Sequence, residues 1–329
     1  MSLIDGKTVL VTGGTGSFGT RLVEKLLAEH EPHAARIFSR DELKQSEMQR
    51  RFADETRLRY LLGDVRDLPR LTRATRGVDV IVHAAALKQV PAAEYNPFEA
   101  VQTNVVGAEN VVSAAIDNDV PLTLSLSTDK AVNPVNLYGA TKLCAEKIVS
   151  QGNAYAADSP ARFATVRYGN VVGSRGSVIP LFRAQAETGV LTITDERMTR
   201  FWITLDQAVD FVVGCLSSMG GGEVFVPKIP SMRVTDIAEA IAPSAERRVI
   251  GIRPGEKLHE MLVTEDESRH CFELPDRYVI LPEYAYWPMR EVQGGERMPD
   301  GFRYASDTND SWLGVDELRE MAAGVKAVA

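Results

Sequence analysis

The sequence has little of the features that mark several classes of protein. Its cysteines are few and scattered, at Cys144, Cys215 and Cys271, with no CxxC pair and no zinc-like His-Cys spacing. We therefore expect no disulfide framework and no metal site, and a reduced, cytoplasmic setting fits best. No apolar run approaches the roughly 20 residues that span a bilayer. The polar N-terminus, Met1 to Lys7, does not read as a signal peptide.

Basic charge is also in deficit. The 37 Lys and Arg residues against 45 Asp and Glu give a net charge of -8, with a pI of about 5.3. Such a chain has no general attraction for nucleic acid or acidic membranes, so neither is an expected partner. An anionic small molecule would have to be held by local Arg, Lys and backbone amides.

The hydrophobic pattern alternates strands and helices. The 329 residues are 44% hydrophobic and 25% charged, which is ordinary for a globular protein. Buried strands are predicted at residues 8–12, 35–38, 58–62, 78–83 and 121–126, with helical patterns between them. This order is typical of an α/β fold with a Rossmann-type, doubly wound parallel sheet. Right-handed crossovers then bring all the strand ends to one edge.

A glycine-rich turn follows the first strand and opens the first helix. Gly13 allows the tight turn, Gly16 lets the backbone approach a pyrophosphate, and Gly19 lets the helix pack close to the strand. A lone glycine motif also fits a flexible loop, but both flanking elements here have the right type. The cofactor contacts predicted in this turn are Gly13, Thr15, Gly16, Ser17, Phe18 and Gly19.

The end of the second strand bears on the choice of dinucleotide. An NAD site usually places an acidic residue there, for the ribose hydroxyls. In this chain Ser39 and Arg40 occupy the position, and Lys44 lies close behind. Arg can fork onto a phosphate and Ser can donate to it, so we favour NADP. Asp41 keeps NAD possible.

Later strand ends supply further cofactor contacts. Asp64, with Val65 beside it, can accept from the adenine amino group. After the fourth strand come three small residues that let the nicotinamide ribose lie against the backbone, namely Ala84, Ala85 and Ala86. Lys88 follows at the same strand end and is also predicted to contact the cofactor. A lone histidine at such a position, here His83, is more often a core residue than a catalyst.

The stretch from Ser127 to Lys142 carries the densest set of chemical groups. It follows an apolar strand and enters a helical pattern, with Ser127 expected at the cofactor. Tyr138 and Lys142 form a YxxxK pair, one helical turn apart, so both side chains face the same way. A nearby ammonium lowers the pKa of a phenol, which allows Tyr138 to take a proton from a sugar hydroxyl.

Together with the glycine motif, YxxxK resembles the extended short-chain dehydrogenase/reductase superfamily. Longer motifs narrow the resemblance to the UDP-N-acetylglucosamine 4,6-dehydratases, most closely the configuration-inverting members that open the pseudaminic acid pathway. These motifs lie at residues 127–134, 167–177, 197–202, 225–232 and 253–257. Some members of that family carry a membrane-spanning N-terminal region; this chain resembles the short soluble kind.

The resemblance implies a chemistry for five residues. Tyr138, assisted by Lys142, would take the C4 hydroxyl proton while the C4 hydride passes to tightly bound NADP, which is regenerated in each turnover. Lys130 would then take the C5 proton, and Asp129 would protonate the departing C6 hydroxyl. Thr128 would hydrogen-bond the C4 oxygen. Related sugar-nucleotide dehydratases usually have Asp-Glu where this chain has Asp-Lys.

The base role of Lys130 carries an expectation about its ionisation. Its pKa must fall well below about 10.4, which burial and the neighbouring Lys142 and Lys88 could achieve. The alternative is an ion pair with Asp129. Adjacent residues on an extended segment point to opposite sides, which argues against that pairing.

The second half of the chain is expected to hold the UDP-sugar. Arg197 is a weaker phosphate candidate than Arg200 and Arg253. The substrate contacts predicted are Lys88, Tyr168, Asn170, Ser177, Arg200, Arg253 and Glu256. Residues 1–170 plus about 204–228 are predicted as the NADP-binding domain. Residues 171–203 plus about 229–329 are predicted as the discontinuous substrate lobe.

Other functions fit the same fold, since fold does not fix reaction. A retaining dehydratase differs only at C5, whose configuration the sequence leaves open. An epimerase or reductase needs Tyr138 but has no use for an acid and base at C5 and C6, so Asp129 and Lys130 discriminate. A non-catalytic NADP-sensing regulator would be expected to have lost Tyr138 or Lys142. Homo-oligomerisation, as a dimer or hexamer, is expected from the resemblance.

Overall fold

Parallel strands make up most of the main sheet. The computed structural model describes residues 2–173 and 178–324. Its strands, in chain order, are β1 Thr8–Thr12, β2 Ala34–Ser39, β3 Leu58–Leu62, β4 Val80–His83, β5 Leu122–Leu126, β6 Arg162–Val166, β7 Asn170–Val171, β8 Val190–Ile193, β9 Thr199–Ile203, β10 Val224–Pro227, β11 Ser231–Arg233, β12 Glu246–Val249, β13 Met261–Val263, β14 Cys271–Glu273, β15 Arg277–Ile280, β16 Glu296–Arg297 and β17 Tyr304–Ala305.

Helices connect these strands. They are α1 Ser17–Glu29, α2 Glu42–Arg51, α3 Leu68–Thr75, α4 Val90–Tyr95, α5 Pro97–Val101, α6 Gly107–Asp117, α7 Leu137–Tyr155, α8 Val178–Ala186, α9 Leu205–Ser218, α10 Val234–Ile241 and α11 Val315–Ala323. A π-helical turn, Gln102–Val106, joins α5 to α6, and 3₁₀ turns lie at Asp129–Ala131 and Glu267–His270.

The strand order confirms the predicted fold. Strands β3-β2-β1-β4-β5-β6 are hydrogen-bonded in that order and are all parallel. This is the Rossmann order, in which the order of the strands reverses at the position between β1 and β4. Strand β1 is buried along its whole length, as its unbroken apolar pattern predicts. The carboxyl ends of β1, β2, β4 and β5 therefore meet at one edge.

The main sheet is larger than expected. Strand β10 adds to β6 in parallel, and β15, β14 and β16 then continue the sheet in antiparallel fashion. Residues 271–297 therefore contribute strands to the main sheet, although the sequence analysis predicted them in the substrate lobe. Their short strands carry too few residues for a clear period, and pairing with β10 decides their place.

A second core lies under the smaller lobe. Helices α8, α10 and α11 and strands β8 and β9 bury a separate apolar cluster, which includes Ile179, Phe182, Leu191 and Trp202. Helix α9 returns to the main sheet, as predicted, and packs on α1, where Arg21 pairs with Asp206. No helix in the described part of the chain is both long and apolar enough to cross a membrane.

Candidate active site

The glycine-rich turn lies between β1 and α1. Gly13 has a φ of +67°, and a Cβ there would lie 2.8 Å from the backbone nitrogen of Ala85. Another residue would be both strained and crowded. Helix α1 has Gly16 as its N-cap and no side-chain cap, so its first N–H groups can bind a phosphate. The turn therefore fits the pyrophosphate of a dinucleotide.

The other residues of the turn support this fit. A cavity of about 230 Å³ opens here, lined by Thr15, Gly16, Ser17, Thr20, Arg21, Glu24, Arg51 and Leu205. Phe18 packs against the main core rather than into that cavity wall. Gly19 is buried, and a Cβ on it would lie 2.5 Å from the Cα of Gly14. The turn and helix thus pack as closely as the glycine spacing predicts.

The end of β2 presents a cation more openly than an anion. Asp41 caps α2 by accepting from the Lys44 backbone, and its carboxylate pairs with the Lys44 ammonium at 2.7 Å. These hydrogen bonds hold the pKa of Asp41 below its ordinary value. Arg40 is exposed, with Nη1 3.5 Å from Asp64. Ser39 is buried, and its hydroxyl accepts from Gln45, a residue that sequence reasoning missed.

The end of β3 reaches the same edge. Asp64 accepts from the backbone and side chain of Arg66 at 3.0 and 2.9 Å, and Val65 is buried beside it. The Asp64 carboxylate is thus already bonded within the protein, and these contacts lower its pKa despite partial burial. Its predicted contact with adenine would have to share these oxygens with Arg66.

The three alanines that follow β4 lie against the glycine turn. Ala84 packs on the main core, and its N–H donates to the Thr12 carbonyl at 3.2 Å. The Ala85 N–H lies 3.3 Å from Thr12 Oγ1, and Ala85 packs on the opposite side of the sheet from Ala84. Ala86 is partly buried, without a hydrogen bond that fixes it to Thr12. The backbone of Ala84 and Ala85 is therefore tied to β1, and Ala86 is the freest of the three to meet a ribose.

His83 is a core histidine, as its sequence context suggested. Its Nδ1 lies 2.7 Å from the hydroxyl of Thr12, and the residue is 2% exposed. Burial, followed by the positive charge of Lys142, lowers its pKa to about 3. The imidazole is therefore neutral at physiological pH, and its Nδ1 is bonded within the core.

Tyr138 and Lys142 both lie in the first two turns of α7, which Asn136 caps by accepting from the Gly139 N–H. Burial raises the pKa of the Tyr138 phenol above its ordinary value, and the positive charge of Lys130 and a hydrogen bond with Thr128 oppose this without reversing it. The lowered pKa expected from the motif is therefore wrong for this arrangement. Burial lowers the pKa of Lys142 to about 8, and Glu146 opposes this. The main cation acting on Tyr138 is thus Lys130, whereas the motif had suggested Lys142 for that role.

Gly139 lets the 3₁₀ turn Asp129–Ala131, two of whose residues are proposed below to be catalytic, pack against α7. A Cβ on Gly139 would lie 2.0 Å from the carbonyl oxygen of Lys130, a distance at which the backbone must move. The 3₁₀ turn that carries Asp129 and Lys130 is therefore held directly against the helical turn that carries Tyr138. The glycine within YxxxK is a structural requirement that the motif alone did not reveal.

Asp129 and Lys130 form an ion pair. The Lys130 ammonium lies 3.0 Å from Asp129 Oδ1, which also accepts from the Thr128 hydroxyl at 2.9 Å. The sequence analysis predicted an extended backbone here, in which neighbouring side chains point to opposite sides and would not pair. The segment is instead a 3₁₀ turn, which brings the two neighbouring side chains to the same side. Tyr138, Thr128, Asp129 and Lys130 are thus in one cluster.

A buried glutamate that the sequence analysis missed completes this cluster. Glu260 is 3% exposed, and its carboxylate lies 3.6 Å from Lys130 Nζ, 3.6 Å from Lys257 Nζ and 3.8 Å from Arg200 Nε. Burial disfavours the charge of Lys130, but Asp129 and Glu260 outweigh it and raise the pKa of Lys130. The expected fall of this pKa is therefore wrong for the resting arrangement.

Ser127 belongs to a second buried network. Its hydroxyl donates to Glu146, which also pairs with Arg167 at 2.6 Å. Arg167 is 2% exposed and continues to Glu267 at 3.0 Å and to the Leu262 carbonyl. The sequence placed Ser127 at the cofactor, but its hydroxyl is used inside the protein. This network ties α7 and β6 to the segment that follows Glu260.

The sequence profile of the family described as "Polysaccharide biosynthesis protein" matches residues 9–282. The chain belongs to this family. A family relative from Campylobacter jejuni, named UDP-N-acetylglucosamine 4,6-dehydratase (inverting), is 47% identical over 328 residues, 97% of this chain and 98% of the relative. The resemblance found in the sequence is thereby confirmed, as is the prediction that the chain is an enzyme.

Two further similarities bear on fold and function. A Rickettsia conorii relative named UDP-glucose 4-epimerase is 44% identical over 282 residues, 83% of this chain and 82% of the relative. The X-ray structure of Pen from Bacillus thuringiensis has a TM-score of 0.91 and 38% identity, and the match covers 99% of this chain and 100% of that one. The α/β fold is thus confirmed along nearly the whole chain.

In this member of the polysaccharide biosynthesis family, some of the predicted substrate contacts lie near Lys130 and others do not. Asn170 Oδ1 lies 3.5 Å from Lys130 Nζ, and the Tyr168 carbonyl accepts from the Asp129 N–H at 3.1 Å. Burial raises the pKa of the Tyr168 phenol. Partial desolvation and the charge of Lys130 lower the pKa of Lys88, although much of that residue remains exposed. Ser177 lies outside the described residues.

The arginines are placed differently from one another. Arg200 is buried and donates to the backbone carbonyls of residues 199, 257 and 258. Its guanidinium therefore has a structural use, and the predicted phosphate role is not favoured by its contacts. Arg253 is half exposed, 3.9 Å from Glu256, and stays available for an anion. Arg197 is exposed and pairs with Asp195.

Proposed function

We propose that the chain is an NADP-dependent UDP-N-acetylglucosamine 4,6-dehydratase that inverts C5. The observation that carries this proposal is the ion pair of the buried Asp129 and the partly buried Lys130 beside Tyr138. The phenol is the group needed to oxidise a sugar alcohol, and the pair is the acid and base needed to remove water. The name of the Campylobacter relative supports the substrate and the inversion.

The first step is oxidation at C4. Tyr138 takes the proton of the C4 hydroxyl, and Thr128, which contacts both Tyr138 and Asp129, holds the C4 oxygen. The chemistry that NADP supplies when bound is reversible storage of the C4 hydride until C6 can receive it. Gly13, the uncapped start of α1 and Arg40 are the features that would hold this cofactor.

The second step is elimination across C5 and C6. The C4 ketone makes the C5 proton acidic, and Lys130 takes it. The electron pair of that C–H bond forms the C5–C6 double bond, while Asp129 protonates the C6 hydroxyl, which leaves as water. Once C6 has received the hydride, the resulting C4 enolate takes a proton from solvent at C5 on the opposite face, which gives UDP-2-acetamido-2,6-dideoxy-β-L-arabino-hex-4-ulose. Tyr138 releases the C4 hydroxyl proton to solvent, so one proton enters and one leaves in each turnover.

The ion pair is the protonation state that this elimination leaves behind. Lys130 is then an ammonium and Asp129 a carboxylate, the charges of an ion pair, and the two groups lie 3.0 Å apart. Transfer of one proton along their 3.0 Å hydrogen bond restores a neutral amine and a carboxylic acid. The pair thus regenerates its own acid and base, because the proton taken from C5 becomes the one given to the next C6 hydroxyl.

The setting of the reaction follows from the same proposal. Lys88, Tyr168, Asn170, Arg253 and Glu256 would hold the UDP-sugar between the two lobes. We further propose that the enzyme is a cytoplasmic homo-oligomer, a dimer or hexamer. Its product would enter pseudaminic acid synthesis.

A 4-epimerase is the second candidate, because the Rickettsia conorii relative carries that name. An epimerase needs Tyr138, but its reaction has no step that requires Asp129 and Lys130 as acid and base. Product analysis distinguishes the two: a dehydratase converts UDP-N-acetylglucosamine to a 4-keto-6-deoxy sugar. An epimeric product that keeps its C6 hydroxyl would overturn our proposal and support the epimerase.

A further inference from the structure

Glu260 has no role in the chemistry derived so far, yet it is among the most buried carboxylates near the site. It directly precedes β13, and its backbone is fixed on both sides by Ser306: the Glu260 N–H donates to Ser306 Oγ at 2.9 Å, and the Ser306 N–H donates to the Glu260 carbonyl at 2.8 Å. Ser306 Oγ lies 2.7 Å from the Thr199 hydroxyl. The backbone of Glu260 is therefore fixed by Ser306, which directly follows β17 and is itself bonded to Thr199 of β9.

Three cationic side chains surround the Glu260 carboxylate, but none of them is close enough to donate a hydrogen bond to it. Its distances to Lys130, Lys257 and Arg200 are 3.6 to 3.8 Å, longer than a hydrogen bond. Its buried Oε2 accepts no hydrogen bond from the described residues, and neither does Asp129 Oδ2. Such an arrangement contributes little to the stability of the fold, because a buried charge is best compensated by close hydrogen bonds. The contacts of Glu260 are therefore not those of an ion pair that serves stability alone.

We infer that Glu260 is a positioning residue for Lys130: its charge holds the ammonium against Asp129 and sets the pH range in which the pair works. This inference rests on the proposed dehydratase function. Glu260 acts through Lys130 and touches no reacting atom. Its electrostatic attraction directs the flexible lysine side chain toward the one hydrogen bond, to Asp129, through which the proton must pass.

The consequence for pH dependence can be stated with its sign. Other charged or titratable groups also face Lys130 from several elements: Lys88, Asp129, Tyr138, Arg200 and Lys257. The working pair shares one proton, and activity is lost at high pH when that proton leaves. An anion beside the pair favours the protonated form, so loss of the Glu260 charge moves this basic limb to lower pH, by about 1 pH unit or more.

The test compares three variants. Glu260→Gln keeps the shape and removes the charge, so its basic limb should move to lower pH. Glu260→Asp withdraws the charge from Lys130, so its limb should lie between those of the wild type and Glu260→Gln, and it serves if Glu260→Gln does not fold. Glu265→Gln removes an exposed carboxylate from the same region and should leave the profile in place.

A second readout does not depend on turnover. NMR titration of protein carrying ¹³C-labelled lysine, with the Lys130 signal assigned by its loss in Lys130→Met, should give a lower pKa for Lys130 in Glu260→Gln. Superimposable rate profiles and equal Lys130 titrations in wild type and variants would overturn the positioning role while leaving the dehydratase proposal intact. A wild-type product that keeps its C6 hydroxyl would instead overturn the proposed function, and the NMR titration would still decide the electrostatic role of Glu260.

Discussion

The ammonium of Lys130 lies 3.0 Å from Asp129 Oδ1, so the two groups proposed as base and acid are bonded to each other. Neither is in the protonation state that elimination requires, because the base is charged and the acid is ionised. In the proposed mechanism one internal proton transfer resolves this, because it neutralises the buried Asp129 and the partly buried Lys130 at once. The pair lies next to Tyr138, so the mechanism we propose has its acid and base at hand when the C4 ketone forms.

Replacing Lys130 tests the base directly. We expect Lys130→Met to reduce dehydration by about 100-fold or more, since general base catalysis is worth that much, and to retain bound NADP. Product formation and cofactor content are the measurements. Lys130→Arg is the matched control: it keeps the ion pair with Asp129 but cannot lose its proton, so it should be equally inactive. An active Lys130→Arg enzyme would show that only the charge is needed.

The spacing between α7 and the catalytic turn can be tested at Gly139. Gly139→Ala places a Cβ 2.0 Å from the Lys130 carbonyl oxygen, and relief of such overpacking costs about 1–3 kcal/mol. We expect lower stability in urea unfolding and a loss of dehydration, because Lys130 moves away from Tyr138. Gly214→Ala, also in a helix, brings its Cβ no closer than 3.6 Å to Arg277 and should be neutral or slightly stabilising. Equal effects of the two substitutions would contradict the packing account.

Lys142 should cost stability at neutral pH. Its pKa falls from 10.5 to about 8 in the folded protein, which corresponds to about 3 kcal/mol. Between those pH values the unfolded chain binds more protons than the folded protein, so stability rises with pH across that range. We expect Lys142→Met to be inactive yet more stable by about 1–3 kcal/mol at pH 7.

The measurement is urea unfolding without added nucleotide, repeated from pH 7 to above pH 10. The stability difference between Lys142→Met and the wild type should shrink as the pH rises through 8 toward 10.5. Lys147→Met, an exposed position on the same helix, should show no such pH-dependent difference. A difference that stays constant with pH would show that the ammonium of Lys142 is not penalised by burial.

Cofactor choice depends on Arg40 in this account. Loss of a hydrogen bond to a charged group costs about 1.5–3 kcal/mol, so Arg40→Ala should weaken NADP binding by about tenfold to a hundredfold. Binding of NAD, which lacks the 2′-phosphate, should change little. Calorimetric titration with each nucleotide provides the measurement, and Arg50→Ala on the exposed side of α2 provides the control. Equal weakening of both nucleotides would remove Arg40 from the choice between them.

The sequence predicted what depends on local pattern. The buried strands, the glycine turn at Gly13 and the YxxxK pair follow from periodicity and spacing, and parallel strands necessarily bring their ends together. The order of the sheet and the position of Tyr138 therefore agree with the structure. The resemblance to a known family supplied the chemical roles, which no spacing rule provides.

What the sequence did not reveal depends on contacts between distant segments. Glu260 lies 130 residues from Lys130 in the chain, and no motif links the two positions. The ion pair of Asp129 and Lys130 was misjudged because a 3₁₀ turn, not an extended segment, carries it. Arg200 looked like a phosphate ligand until its backbone acceptors were seen. Each of these features is set by tertiary packing.

Turnover of UDP-N-acetylglucosamine in heavy water tests the central claim most directly. If Lys130 and Asp129 drive elimination, NMR of the product will show a 4-keto-6-deoxy sugar with solvent deuterium at C5, and its coupling constants will report the C5 configuration. A product that keeps its C6 hydroxyl and carries no deuterium at C5 would contradict the account.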